Sequence, residues 1–391
     1  MSLHTPRHIK ASPFLFGLML LLFAPILYSH SFLITADDLT DFHKHMLWAV
    51  SLGQDGLRSM SSALLAHSAW QFLLVLFHKA FGGSYESAQF LAAVLSFELT
   101  AFVLFFWYRP VFYKTDRPDW QIMVVVLGVC IVAPVSLLWY WDGAMYLGYI
   151  GITSYHNPTI ILMKPFAVLQ FIFACQCFYE TRLVKNWQII LSAAVSSLCT
   201  FIKPNFAICI LPALAVFSVY CILKRKYLNY KALFWGLILP TVTVLGWQFV
   251  LTYYDDQSSA VIFLPLVVMS VYSRYLGWKF LLSILFPIGL LTMYFKQAVR
   301  DVRMILAWLI FLIGAVFTYF FAESGPRLLD GNFVWCGEIA SLMLFAVSTL
   351  FYFDIFSKNS KSAKLLAGLW SLHVIFGILY YFCCMFSGSY H

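Results

Sequence analysis

Charge is what this sequence has least of. Only 11% of its 391 residues are Asp, Glu, Lys or Arg, against 62% hydrophobic, and the mean hydropathy is +0.83. That is too little charge to cover a water-facing surface, so a soluble domain is excluded and the apolar runs read as bilayer crossings of about 20 residues each. No soluble domain, internal repeat or low-complexity tract is visible. No run of basic residues forms a stripe either, so the formal net charge of +8 does not point to nucleic acid. The nine cysteines fall mostly inside apolar runs, where a thiol behaves as a small hydrophobe, and their spacing suggests neither a disulfide framework nor a metal site. The first apolar run lacks a small-residue cleavage site and reads as a retained span.

What is present is a series of eleven apolar runs, at about 13–34, 86–108, 121–140, 158–178, 187–203, 205–223, 232–252, 279–295, 304–321, 338–353 and 365–383. The expectation is an all-α, polytopic transmembrane helical bundle of about 11 spans, forming a single membrane domain. It divides into a first span (13–34), an external loop (35–85) and ten further spans (86–391). Segment 57–82 is apolar but carries His67, His78 and Lys79, and reads as an interfacial or re-entrant helix within that loop.

Placing the N-terminus in the cytoplasm assigns 17 of the 25 Lys and Arg to the N-terminal tail and cytoplasmic loops, as the positive-inside rule favours. The C-terminus is then external. Most acids fall at the external boundary, and acids contribute little to orientation, so their clustering there calls for another explanation.

Five stretches carry candidate chemistry. In "TADDLTDFHKHMLWA", Asp37, Asp38 and Asp41 crowd the membrane surface, and a helix starting near Asp41 places Asp41 and His45 on one face. A carboxylate there suits a general base, and Asp41 also suits a helix cap. In "WDGAMYLGYIGITSYHNPT", Asn157 and Pro158 form a helix start, which leaves Asp142 and His156 unexplained. The aromatic residues of this loop suit sugar stacking or an interfacial belt. Lys164 in "MKPFAV" and Lys203 in "IKPNFA" lie in or at the edge of spans, where a lysine needs a partner, an anionic ligand among the candidates; snorkelling is the alternative for Lys203. In "FAESGPRLLDGNFVWCGE", Arg327 suits bidentate phosphate binding or pairing with Glu323 or Asp330. Glu98 is a further acid within a span.

The layout resembles the GT-C superfamily of integral membrane glycosyltransferases, which take sugars from polyprenyl-phosphate carriers. The likeness lies in a first span, a long external loop with acids and membrane-parallel helices, and a bundle whose external loops complete the site. "TDFHKHMLWA" is similar to the Asp-aromatic-x-x-His opening of bacterial members, and "YHNPT", "KPF", "KPNF" and "GNFVW" look like stretches of bacterial proteins of this type. The large C-terminal external domain of many members is absent.

The resemblance implies an inverting transfer on the outer face of the membrane, and the short loops point to a bacterial inner membrane. One of Asp41, Asp38 and Asp37 would act as base, with His45, Asp142, His156, Asn157, Lys164, Lys203, Arg327 and Glu323 around the substrates. It implies a lipid-linked sugar donor, a glycan, lipid or protein acceptor, surrounding membrane lipids and no nucleic-acid partner. Some members use a divalent metal, which the Asp37/Asp38/Asp41 cluster is able to hold, although no spacing demands one. The rival readings are a polysaccharide polymerase or ligase, a lipid-linked-sugar transporter or flippase, and a scaffold in an envelope-assembly complex.

Overall fold

The computed structural model describes residues 11–33, 41–115, 117–180, 184–253, 260–355 and 360–387. Asp37 and Asp38 lie outside these residues. Among these residues the chain is all-α apart from one short ribbon, and it is a polytopic helical membrane protein.

The fourteen main helices among the described residues are α1 (Ala11–Tyr28), α2 (Asp41–Asp55), α3 (Ala69–Phe81), α4 (Tyr85–Lys114), α5 (Asp119–Ile131), α6 (Pro158–Gln176), α7 (Asn186–Ile202), α8 (Asn205–Leu223), α9 (Leu239–Tyr253), α10 (Leu276–Ser283), α11 (Leu285–Met293), α12 (Val302–Phe320), α13 (Val334–Ile355) and α14 (Lys361–Ser387).

Among the described residues, eight helical segments are long and apolar enough to cross a bilayer, or nine if α10 and α11, bent by 65° at their junction, are one span. That is fewer than the eleven expected. The difference lies in α5 and α7, which coincide with apolar runs but reach only about 20 and 25 Å at 1.5 Å per residue. Hydropathy registers apolar length and is blind to where a helix unwinds.

Beyond α5 the chain runs extended through buried residues 132–136. Irregular backbone is tolerated at membrane depth only where protein satisfies it. Here Ala133 N–H donates to His373 O (3.2 Å), and Val135 N–H to Leu282 O (3.1 Å). The His373 ring reaches both breaks: Nδ1 lies 2.7 Å from Ala133 O, and Nε2 accepts from Phe286 N–H at 3.4 Å. One imidazole of α14 thus joins the unwound end of α5 to the bend between α10 and α11.

The centre of the bundle is α13, whose apolar window is wholly buried. A helix apolar on every side belongs inside such a bundle, and α4, α5, α6, α8, α11 and α12 pack around it. Its approach to α12 is close because Gly314 faces Ala340 and the Cys336 carbonyl; a Cβ at 314 would come within 2.7 Å of that oxygen.

Local signals set the element ends that matter for the site. Asn157 caps α6 by accepting from Ile160 N–H at 3.0 Å, with Pro158 as the first helical residue, as the sequence predicts. Ser84 caps α4, and α3 ends on Gly82 at φ 68°, a left-handed position that glycine adopts without strain. Strand β1 (Val261–Phe263) pairs antiparallel with β2 (Phe321–Glu323), Val261 opposite Glu323, and this ribbon carries the chain out of α12 toward Arg327.

Candidate functional site

At one end of the bundle, segments assigned to the same side by the charge pattern enclose a cavity of about 630 Å³. His45, Trp48 and His67 line it from the 35–85 segment, Lys203 and Asn205 from the α7–α8 junction, and Glu323, Arg327 and Asp330 from the segment after α12. Leu245, Phe249 and Phe317 supply an apolar wall from α9 and α12. A polar, cationic region and a hydrocarbon wall therefore share one space, the arrangement an amphipathic ligand requires.

Beside the cavity, a chain of contacts joins the stretches singled out in the sequence. Asp41, the first residue of α2, accepts a 2.6 Å bond from Asn157 Nδ2. The Asn157 oxygen that caps α6 also accepts from Thr159 Oγ1 (2.8 Å) and from Lys203 Nζ at 3.4 Å, and Lys203 donates to Thr159 Oγ1 at 2.9 Å. Lys203 Nζ also lies 5.1 Å from the Trp335 ring centroid, a cation–π contact. Asn205 Nδ2 donates to Asn332 O at 2.8 Å, tying "KPNF" to "GNFVW". Burial pulls the Lys203 ammonium down to about 8, against the opposing fields of Asp41 and Glu338.

Glu323 is buried and already engaged. Tyr253 Oη donates to Oε1 (2.6 Å), Asn332 Nδ2 to Oε2 (2.5 Å), and Arg327 stands 3.8 Å away. It anchors the arginine rather than offering a free base. Arg327 keeps about a third of its side chain exposed toward the cavity.

The two cavity histidines are matched to buried glutamines. His45 Nδ1 lies 2.7 Å from Gln71 Nε2, and His67 Nδ1 lies 3.2 Å from Gln248 Nε2. Burial lowers both imidazoles to about 4. Lys203, His67 and Lys44 add to this at His45, where Asp41 pulls the other way, and Lys203 and Arg327 add to it at His67.

Three expected ligand contacts sit elsewhere. Lys164 is buried against Glu338 (Nζ to Oε1 3.1 Å), whose other oxygen accepts from Tyr146 Oη at 2.5 Å. The partner a buried lysine demands is thus supplied by α13, and Lys164 belongs to the core. Asp142 pairs with Lys279 at 2.7 Å and accepts from Ser273 Oγ at 2.6 Å, away from the cavity lining. Burial alone would raise its carboxyl, but the bonds from Lys279, Ser273 and Ala144 N–H bring it below the ordinary value. His156 packs between Trp335, tilted against it, and Tyr146, edge-on to it, and is held down to about 3 by burial and the fields of Lys203 and Lys164. It stands behind the cavity wall.

Among the described residues, no group of three His, Cys, Asp or Glu is placed to hold a metal ion. The residues to which the sequence reading gave no site role are His67, Gln71, Gln248 and Tyr253. Gln248 had a readable signal, an amide inside an otherwise apolar run.

No protein-family model, curated protein or solved structure matches the chain.

Proposed function

We propose that the protein is a glycosyltransferase of the GT-C type, moving a sugar from a polyprenyl-phosphate donor to an acceptor at the outer face of the membrane. The observation that carries this reading is the cavity itself, where Lys203 and Arg327 share about 630 Å³ with the apolar wall of α9 and α12. A lipid-linked phosphate has that chemistry: an anion to be held by cations and a hydrocarbon chain to be shielded from water.

In this reading the two cations take up charge on the leaving phosphate. Asp41 stands one helical turn before His45 and is linked through Asn157 to Lys203, which supports it as the carboxylate that accepts the proton of the acceptor hydroxyl. The anomeric carbon–phosphate oxygen bond breaks as the acceptor oxygen–carbon bond forms, so the configuration inverts. An aspartate outside the described residues is the rival for this role.

The test uses protein in lipid nanodiscs with radiolabelled polyprenyl-phosphate sugars. Asp41→Asn is expected to bind donor and lose transfer, and Arg327→Ala to weaken donor binding. Unchanged behaviour of both variants across a broad donor panel overturns the reading.

A transport reading finds support in the interrupted backbone at 132–136 and at the α10–α11 bend, because broken helices are common at transporter sites. Neither break lines the cavity, which leaves this reading second. Flipping of a fluorescent polyprenyl phosphate in proteoliposomes distinguishes the two.

A further inference from the structure

We propose that His67 enters the cavity as a neutral imidazole whose Nε2–H donates to an anionic oxygen of the ligand, and that Gln248 of α9 positions it in that tautomer. For the ligand's phosphate chemistry the proposal rests on the reading above; for the tautomer it stands on geometry alone.

The geometry begins at Gln248, which is buried. Its Nε2 lies 2.8 Å from Ala66 O, 2.9 Å from Thr200 O and 3.3 Å from Phe201 O. An amide oxygen in that place would face three carbonyl oxygens, so the nitrogen position is fixed by chemistry and not by the symmetry of the amide. His67 Nδ1 lies 3.2 Å from the same nitrogen. A proton on Nδ1 would set donor against donor. Nδ1 is therefore the lone-pair nitrogen, and the proton of the neutral ring sits on Nε2.

That nitrogen is on the ring edge opposite the glutamine, and the ring lines the cavity. The charged groups that bear on it are Lys203 and Arg327, both opposing a second proton, with Glu323, Asp330 and His45 also on the cavity walls. A third positive charge beside two cations would be self-repelling before ligand arrived. A neutral N–H adds a directed hydrogen bond without that penalty.

Gln248 also grips the carbonyls that end α7 and the turn at Ala66, so α7, α9 and the 57–82 segment share one anchor. His45 and Gln71 repeat the pairing, but Asp41 pulls that ring the other way and no set of carbonyls fixes Gln71. The assignment is confined to His67.

The experiment uses the full chain with ¹⁵N-labelled histidine in nanodiscs, the His67 signals assigned by their loss in His67→Gln. A neutral Nε2–H ring from pH 8 to pH 5 is expected, with its proton resonance shifting on addition of undecaprenyl phosphate and, separately, of inorganic pyrophosphate. His67→Ala is expected to weaken binding of the responding probe by about tenfold or more, and His67→Gln, which keeps a neutral donor, to return it to within about threefold of wild type.

An Nδ1–H tautomer, an imidazolium at pH 7, or His67→Ala binding as wild type overturns the proposal. A response to pyrophosphate but not to the lipid assigns the anion to a soluble ligand. If His67 responds to the lipid phosphate but no sugar is ever transferred, the glycosyltransferase reading fails and this assignment stands. If the tautomer is as stated and neither probe moves the signal, the ligand half of the assignment fails.

Discussion

Asn157 Nδ2 donates to Asp41 Oδ2 at 2.6 Å across 116 residues of sequence, while the oxygen of the same amide caps α6 and meets Lys203. One side chain thus does a structural and an electrostatic task, and the two can be separated. Asn157→Ala is expected to lose the cap and the link, lowering stability by about 1–2 kcal/mol. Asn157→Ser restores the cap, hence about 1 kcal/mol, without reaching Asp41. Thermal unfolding in detergent reads the first effect and donor transfer the second; equal melting of the two variants contradicts the separation.

The Lys164–Glu338 pair makes a stability prediction independent of function. Removing one partner leaves a buried charge alone, so Lys164→Met is expected to destabilise by about 3–5 kcal/mol. Lys164→Met with Glu338→Leu removes both charges and recovers most of that loss. A double variant no more stable than the single one argues against an isolated pair.

Lys203 sets an alkaline limit on anion binding. Its ammonium titrates near 8, so it is charged below that pH and loses its charge above it. Affinity for inorganic pyrophosphate is expected to fall by about tenfold between pH 7 and 9.5, and Lys203→Arg to flatten the profile, since a guanidinium keeps its proton. A wild-type profile flat to pH 9.5 removes Lys203 from the anion site.

Acid should loosen the fold from the histidine side. His45, His67 and His156 are lowered in the folded chain, to about 4, 4 and 3, from the ordinary 6.5. The unfolded chain then binds more protons below 6.5. The stability these rings contribute is full above pH 6.5 and is lost progressively as pH falls toward 4. The melting temperature is expected to decline over that interval, and less steeply in His67→Gln. A melting temperature constant from pH 7 to 4.5 contradicts the burial of these rings.

Sequence reading carried the helical membrane class, the apolar runs and the Asn157–Pro158 helix start, because each rests on a local signal. It also chose Asp41, His45, Asn157, Lys203, Glu323 and Arg327, which the fold gathers at or beside one cavity. It misjudged Lys164 and Asp142 for a common reason: a charged residue announces that it needs a partner, and the partners, Glu338 and Lys279, lie 174 and 137 positions away. The span count went astray where backbone unwinds at 132–136, since Val132 and Ala133 are as apolar as the helix before them.

The stitch made by His373 has a consequence for how the chain is synthesised. Ala133 and His373 are separated by 240 residues, and at 5–20 residues per second the ribosome needs roughly 12–48 s to deliver the second after the first. Through that interval the carbonyl and amide of Ala133 have no imidazole and no α14 backbone to meet them. The nascent chain must shelter this point at the insertion machinery or in residual water until its last helix arrives, so the unwound end of α5 is closed only once α14 has been made.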